Sequence, residues 1–369
     1  MHSKTFRRAT TSEVAVAASV VALLALNTAC GSGPTEPTPV EIVPMEGLTG
    51  FEALLDSIRV ELRIPGMAAA IAKDDEIVWS RGFGYADVES RKLATDTTAF
   101  YLASVTKPYG AVIVMQLVEE GVLSLDDPVS TYGVELEADG VIRVRHLLNH
   151  TSEGVPGSRH HYDGGRYAEL GTVIQRASGR TFGDLLVERI LKPLGLRHTA
   201  PDVQTLDFRW AGLDRDAFMA NMASPYELED GVVVPSFHER HFSPAAGLIS
   251  SVRDVADFSI ALDQNLLLAP ETKELMLTPT VLNDGSTCSY ALGWYVQHYR
   301  GVRLEWHGGE WNAQSALLLR APEHGLTFVA LANTRRMSGA YLMGIGDVMQ
   351  SGLAQLFVNA YVLGDEPLP

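Results

Sequence analysis

The 369-residue chain is 46% hydrophobic and 20% charged, which supplies a large buried core and excludes a disordered or fibrous protein. Its formal net charge of −16 repels phosphate backbones, so no nucleic-acid partner is expected. Residues 1–29 are the basic exception, with Lys4, Arg7 and Arg8 against Glu13.

That first segment has a basic start, an apolar run over residues 14–26 and small residues just before Cys30. The layout is that of an export signal, residues 1–29, and the apolar run is shorter than the roughly 20 residues a bilayer-spanning helix needs. Leu26, Asn27, Thr28, Ala29 and Cys30 resemble a bacterial lipoprotein cleavage site, although the leucine stands one position early. The resemblance implies that Cys30 becomes the lipidated first residue and that the exported chain is anchored to the membrane of the bacterial cell envelope, facing the periplasm or exterior. Plain secretion is the alternative. The Gly-, Pro- and Thr-rich stretch that follows suits a flexible linker over residues 30–47, with one folded domain over residues 48–364.

Within that domain, residues 67–72 and 76–83 read as strands of a β-hairpin turned by Lys73, Asp74 and Asp75. Ser104 opens an almost continuously apolar segment that ends near Gly121, the pattern of a helix buried on most sides. Pro108 is compatible with that helix only in its first turn, which places the start at about Ser104. Shorter helices are predicted in the middle of the chain, at 167–177 and 182–191, and amphipathic ones at 51–60 and 252–262. Strand patterns return at 290–297, 302–306, 315–320 and 326–331, and a closing helix is expected over 340–362. Cys288 opens the strand-like apolar stretch 288–296 and reads as a small buried hydrophobe. The fold class is therefore α+β: one antiparallel sheet built from both termini and flanked by helices, with a mainly helical region inserted, and a site in the cleft between the two parts.

Ser104-Val105-Thr106-Lys107 sets a hydroxyl and an amine three residues apart, so on a helix both project from one face. A serine needs a nearby base to become a nucleophile, and a lysine buried without a partner loses its charge readily enough to serve as one. Free N–H groups at the helix start would also stabilise a developing oxyanion. By spacing alone, a capping serine and a solvated lysine fit equally well.

The surrounding sequence resembles the family of class C β-lactamases, penicillin-binding proteins and related esterases and D-peptidases. The likeness runs through Ile64-Pro65-Gly66, Tyr101-Leu102-Ala103-Ser104 and Gly121-Val122-Leu123-Ser124-Leu125-Asp126-Asp127-Pro128. It continues through His146-Leu147-Leu148-Asn149-His150-Thr151-Ser152, Tyr290-Ala291-Leu292-Gly293-Trp294 and His307-Gly308-Gly309. It implies a β-lactamase/transpeptidase-like fold, with Ser104 as acylated nucleophile, Lys107 as its proton partner and Tyr162 as the proton shuttle. His307-Gly308-Gly309 would form the substrate-binding strand, with His307 giving a hydrogen bond rather than a permanent charge. The backbone N–H of Glu310 would join that of Ser104 in an oxyanion hole.

Two positions depart from the family pattern: Gly164 stands where an asparagine usually follows the tyrosine, and Glu153 where glycine is usual. His160 and His161 beside Asp163, and the pair His238 and His241, lack the frame of a zinc motif, so neither a metal nor a cofactor is expected. The expected activity is hydrolysis of a small-molecule or peptide substrate, an ester, β-lactam or D-residue peptide, through an acyl-enzyme. The alternative is a module of the same fold that binds or senses penicillins or cell-wall fragments with little turnover.

Overall fold

A computed structural model of the chain describes residues 47, 50–203, 212–239, 241–339, 346–364 and 368–369. The predicted signal peptide, Cys30 and the linker up to residue 46 lie outside the described residues, as do residues 340–345 of the predicted closing helix. In chain order the strands are β1 (Gly66–Lys73), β2 (Glu76–Asp87), β3 (Lys92–Leu93), β4 (Phe100–Tyr101), β5 (Tyr226–Glu229), β6 (Val232–Pro235), β7 (Ile249–Ser250), β8 (Tyr295–Tyr299), β9 (Val302–Trp311), β10 (Gln314–Ala321) and β11 (Leu326–Ala332). The α-helices are α1 (Gly50–Glu61), α2 (Thr106–Glu119), α3 (Val144–Leu148), α4 (Gly164–Ala168), α5 (Leu170–Ser178), α6 (Phe182–Leu186), α7 (Arg215–Asn221), α8 (Val252–Asp263), α9 (Pro270–Leu277), α10 (Arg336–Gly339) and α11 (Gly352–Phe357).

The main sheet runs β3-β2-β1-β11-β10-β9-β8. Its centre joins the two ends of the domain, because β1 pairs antiparallel with β11 from Met67 opposite Ala332 to Lys73 opposite Leu326. Both strands are apolar at nearly every position, since each face of the sheet is covered. Ala68, Ala70, Val329 and Leu331 pack with α2 and α8 in one cluster. Their neighbours Ala69, Ile71, Phe328 and Ala330 pack with Phe51 of α1 and Phe357 of α11 in another. The period of two in a strand thus sorts one continuous run into two cores.

Several boundaries differ from the sequence reading. Ser104 lies in a 3-10 turn, Ala103–Val105, and the α-helix itself starts at Thr106, with Pro108 in its first turn. The strand predicted at 290–297 begins only at Tyr295, because Gly293 takes φ +82° and Tyr290 bridges back to Tyr295. Cys288 is accordingly partly buried in a loop, its Sγ 3.5 Å from the Tyr290 carbonyl oxygen, rather than inside a strand. The helix predicted at 167–177 is split between α4 and α5. The last α-helix starts at Gly352, where the Ser351 hydroxyl accepts from Ala354 N, and it closes in a π-turn, Val358–Val362.

The sheet also carries buried charge. Arg320 of β10, 1% exposed, faces Glu305 of β9 across the strands at 2.7 Å and also pairs with Asp263 at the end of α8. Glu305 also holds Arg303 at 3.1 Å, so removing Arg320 leaves its charge only partly compensated out of water, which costs up to about 3–5 kcal/mol, whereas replacing both by apolar groups is closer to neutral. Urea denaturation of Arg320→Met is expected to show a loss in that range, and the double variant Arg320→Met/Glu305→Leu is expected to recover most of it.

Candidate active site

A buttressed turn presents Ser104. Ala103 adopts a left-handed φ of +45°, a conformation that a non-glycine residue holds only when its surroundings enforce it. The Thr106 hydroxyl donates to the Ala103 carbonyl at 2.7 Å and accepts from Leu248 N at 3.2 Å, while Leu102 N donates to the Leu248 carbonyl. The 245–248 loop therefore clamps the turn from behind.

Lys107 is the second residue of α2 and is 1% exposed. Its Nζ lies 3.1 Å from Ser104 Oγ and 3.1 Å from the Ala245 carbonyl oxygen, over the rings of Tyr162 and Tyr167 at 4.8 and 5.3 Å. Burial brings its pKa down to about 7, with Asp163 opposing the fall. The i,i+3 spacing thus brings the two groups together even though the serine precedes the α-helix.

Two glycines set the approach of neighbouring backbone. A Cβ at Gly309 would lie 2.2 Å from the Leu102 carbonyl oxygen and 3.2 Å from Ser104 N, so β9 passes directly beside the nucleophile turn only because position 309 lacks a side chain. At Gly293 a Cβ would meet Ala111 and the Tyr167 hydroxyl, each at 2.7 Å, which lets the 290–294 loop close on α2.

Ser104, Tyr162, His307, Gly308, Gly309 and Glu310 line one cleft of about 140 Å³, with Lys107 beneath its floor and Tyr295, Trp306 and Ser338 completing the walls. Burial holds the Tyr162 phenol protonated, above the ordinary tyrosine range, against the opposing pull of the neighbouring Ser104. The Glu310 side chain turns to Arg335, 2.8 Å away. The hydrogen bond expected from His307 to a substrate is directed elsewhere: its Nε2 is 2.9 Å from the Tyr290 hydroxyl and its Nδ1 is 2.7 Å from the Gly308 carbonyl oxygen. Burial, and then the charge of Lys107, depress its pKa to about 3.

The sequence reading missed several residues that shape this cleft. His150, 2% exposed, accepts from Asp163 N through Nδ1, accepts from His161 N through its carbonyl and packs its ring 4.2 Å from that of Tyr162. It is the post on which the Tyr162 loop is hung, and burial keeps it neutral. Tyr290 is fully buried, and Tyr295 stacks on Trp306 with centroids 4.3 Å apart. His150 and Tyr290 both sit in stretches that carry the family likeness, which was the available signal.

Gly164 opens α4 with no side chain, and a Cβ there would lie 3.9 Å from Lys107 Nζ. Glu153 engages His161 at 2.7 Å. His238 packs against Tyr101 and His241 reaches Ser243; among the described residues no group of three or more His, Cys, Asp or Glu is placed to hold a metal ion.

The Beta-lactamase family model matches residues 51–342. A penicillin-binding protein of Bacillus subtilis is 26% identical over 324 residues, covering 77% of this chain and 71% of that protein. A D-aminopeptidase of Brucella canis is 25% identical over 312 residues, covering 74% of this chain but only 57% of the relative. The octameric penicillin-binding protein homologue from Pyrococcus abyssi superposes with a TM-score of 0.72 at 24% identity, over 86% of this chain and 77% of that one. The D-amino acid amidase from Ochrobactrum anthropi SV3 gives 0.68 at 20% identity, over 84% and 98%. These two structures share the fold.

The lowered pKa of Lys107 has a stability consequence of definite sign. Between about pH 7 and the ordinary lysine range the unfolded chain binds a proton that the folded chain does not, so stability rises with pH across that window. Below it, a buried charge opposes folding by up to a few kcal/mol. Lys107→Met is therefore expected to be more stable than the wild type at pH 6, with the advantage fading toward pH 10, as thermal unfolding across that range measures.

Proposed function

The chain belongs to the Beta-lactamase family, and on that footing we propose that it is a serine hydrolase that cleaves a carboxylic ester or amide through an acyl-enzyme on Ser104. The observation that carries this reading is the buried amine of Lys107 at 3.1 Å from Ser104 Oγ, its pKa brought down by burial to about 7.

In the proposed cycle the neutral Lys107 takes the hydroxyl proton as Ser104 Oγ bonds to the substrate carbonyl carbon. The oxyanion faces the Ser104 amide and the β9 edge near Glu310. The carbon–oxygen or carbon–nitrogen bond then breaks, and the leaving group departs with the proton, handed over by Lys107 through the Tyr162 hydroxyl. Water attacks the acyl-enzyme along the same path, releasing the acid and returning the proton to Ser104. Tyr162 is suited to relay a proton rather than to remove one, because its phenol stays protonated in the resting site. The kinship with a D-aminopeptidase and a D-amino acid amidase favours a small ester or amide as substrate; the space at Gly164 offers no side-chain amide to hold a peptide.

The test compares wild type with Ser104→Ala for 4-nitrophenyl acetate hydrolysis and for a covalent mass increment from the ester or a penicillin. Turnover and adduct are both expected to vanish in the variant, kcat/KM falling by about 10³-fold or more. For wild type, kcat/KM is expected to rise through about pH 7 and level above it, since the deprotonated amine is the active form and His307 and His150 remain neutral throughout. A penicillin adduct without ester turnover would favour the binding or sensing module instead, and wild type equal to variant would refute Ser104 as nucleophile.

We also propose that the domain works outside the cytoplasm, held to the cell envelope by a lipid on Cys30, a reading supported by the N-terminal sequence. In a bacterial host, Cys30→Ser is expected to move the protein from the membrane fraction to the soluble one.

A further inference from the structure

We propose that Tyr290 and His307 form a specificity-determining pair that keeps the β9 wall of the cleft uncharged, so that the preferred substrate carries no carboxylate next to its scissile bond. The proposal rests on the serine-hydrolase reading above and names the substrate class for the same site.

His307 stands immediately before Gly308-Gly309 on the strand that flanks Ser104, where a side chain bearing a free donor or a charge would meet the substrate. Both of its nitrogens are committed within the protein. The Gly308 carbonyl can only accept, so Nδ1 donates to it at 2.7 Å, and Nε2 accepts at 2.9 Å from the hydroxyl of the fully buried Tyr290. The one proton of the neutral ring thus belongs to Nδ1. An imidazole arranged in this way has no N–H left for a carboxylate, and a second proton would have to enter beside the buried amine of Lys107.

The other groups around the cleft do not make up for it. Lys107 already serves Ser104 and the Ala245 carbonyl from below. Glu310 ends the wall with a negative charge, and its partner Arg335 is reached by a substrate carboxylate only in competition with that glutamate. Ser338 spends its hydroxyl on the Gly309 carbonyl at 2.8 Å, and His160 stacks on Tyr290 while burial holds its pKa below the ordinary range. What remains facing the substrate among the described residues is aromatic surface from Tyr162, Tyr295 and Trp306, suited to an uncharged ester or amide.

The experiment uses the full chain and two matched pairs of esters: methyl 3-acetoxybenzoate against 3-acetoxybenzoate for the leaving group, and 4-nitrophenyl butyrate against mono-4-nitrophenyl succinate for the acyl group. Rates are normalised to hydroxide-catalysed hydrolysis of each ester. The uncharged member of at least one pair is expected to have a kcat/KM at least tenfold higher. In His307→Lys, which places a charged donor on the β9 wall, that ratio is expected to narrow threefold or more at pH 6, a change in discrimination that a general loss of packing would not produce. Equal normalised rates within both pairs in wild type, or a preference for the carboxylates, would overturn the proposal while leaving the acyl-enzyme reading intact. Failure to turn over any of the four esters would overturn both.

Discussion

Everything in this site hangs on the amine of Lys107 being out of water, with burial outweighing the pull of Asp163 on its charge. A lysine on a solvated surface keeps its proton far above neutral pH and is no base at all. Here the amine is surrounded by backbone oxygen, a serine hydroxyl and two aromatic faces, an environment that stabilises the ammonium less than water does. The reactive state of the serine is thus a product of burial, and burial is the work of the entire fold.

That dependence explains features that look unrelated in the chain. Helix α2 is apolar all round because it runs through the core, with Val112, Ile113, Val114 and Met115 all inaccessible to solvent; a helix with one wet face would leave Lys107 solvated. Gly110 lets the chain at Pro244 come within 2.8 Å of where a Cβ would stand, and the next residue, Ala245, supplies the carbonyl that receives the amine. Gly293 admits the 290–294 loop against the same helix, and Gly309 admits β9 against the serine turn. Each close approach removes water from one side of the same nitrogen.

The residues that react were legible in the sequence because their geometry is local or is carried by family motifs. Ser104 and Lys107 meet through an i,i+3 spacing that survives a shift from α-helix to 3-10 turn. The sheet was legible too, since runs such as 67–72 and 326–331 have the length and composition of buried strands. What could not be read is what the site residues lean on. His150 steadies Tyr162 from twelve residues away in sequence, and Tyr290 meets His307 from the far side of a hairpin-like excursion. Those contacts depend on where Gly293 turns the chain, and the misplaced start of β8 at residue 290 follows from the same turn: an apolar, aromatic run reads as strand unless the backbone reversal inside it is known.

The order of proton affinities in the cleft then fixes the division of labour. His307 and His150 stay neutral because a charge on either would face burial and the nearby amine together. Tyr162, Tyr290 and Tyr295 stay protonated because burial opposes a phenolate more strongly than any neighbour favours it. Burial brings Lys107 to the neighbourhood of neutrality, in contact with the hydroxyl presented by a strained turn. A cleft holding several groups poised near pH 7 would share its proton among them and blunt the base at the nucleophile. By holding His307, His150, Tyr162, Tyr290 and Tyr295 each to a single protonation state, the fold leaves the Ser104–Lys107 pair free to move a proton, and these histidines and tyrosines act through shape, stacking and hydrogen-bond direction.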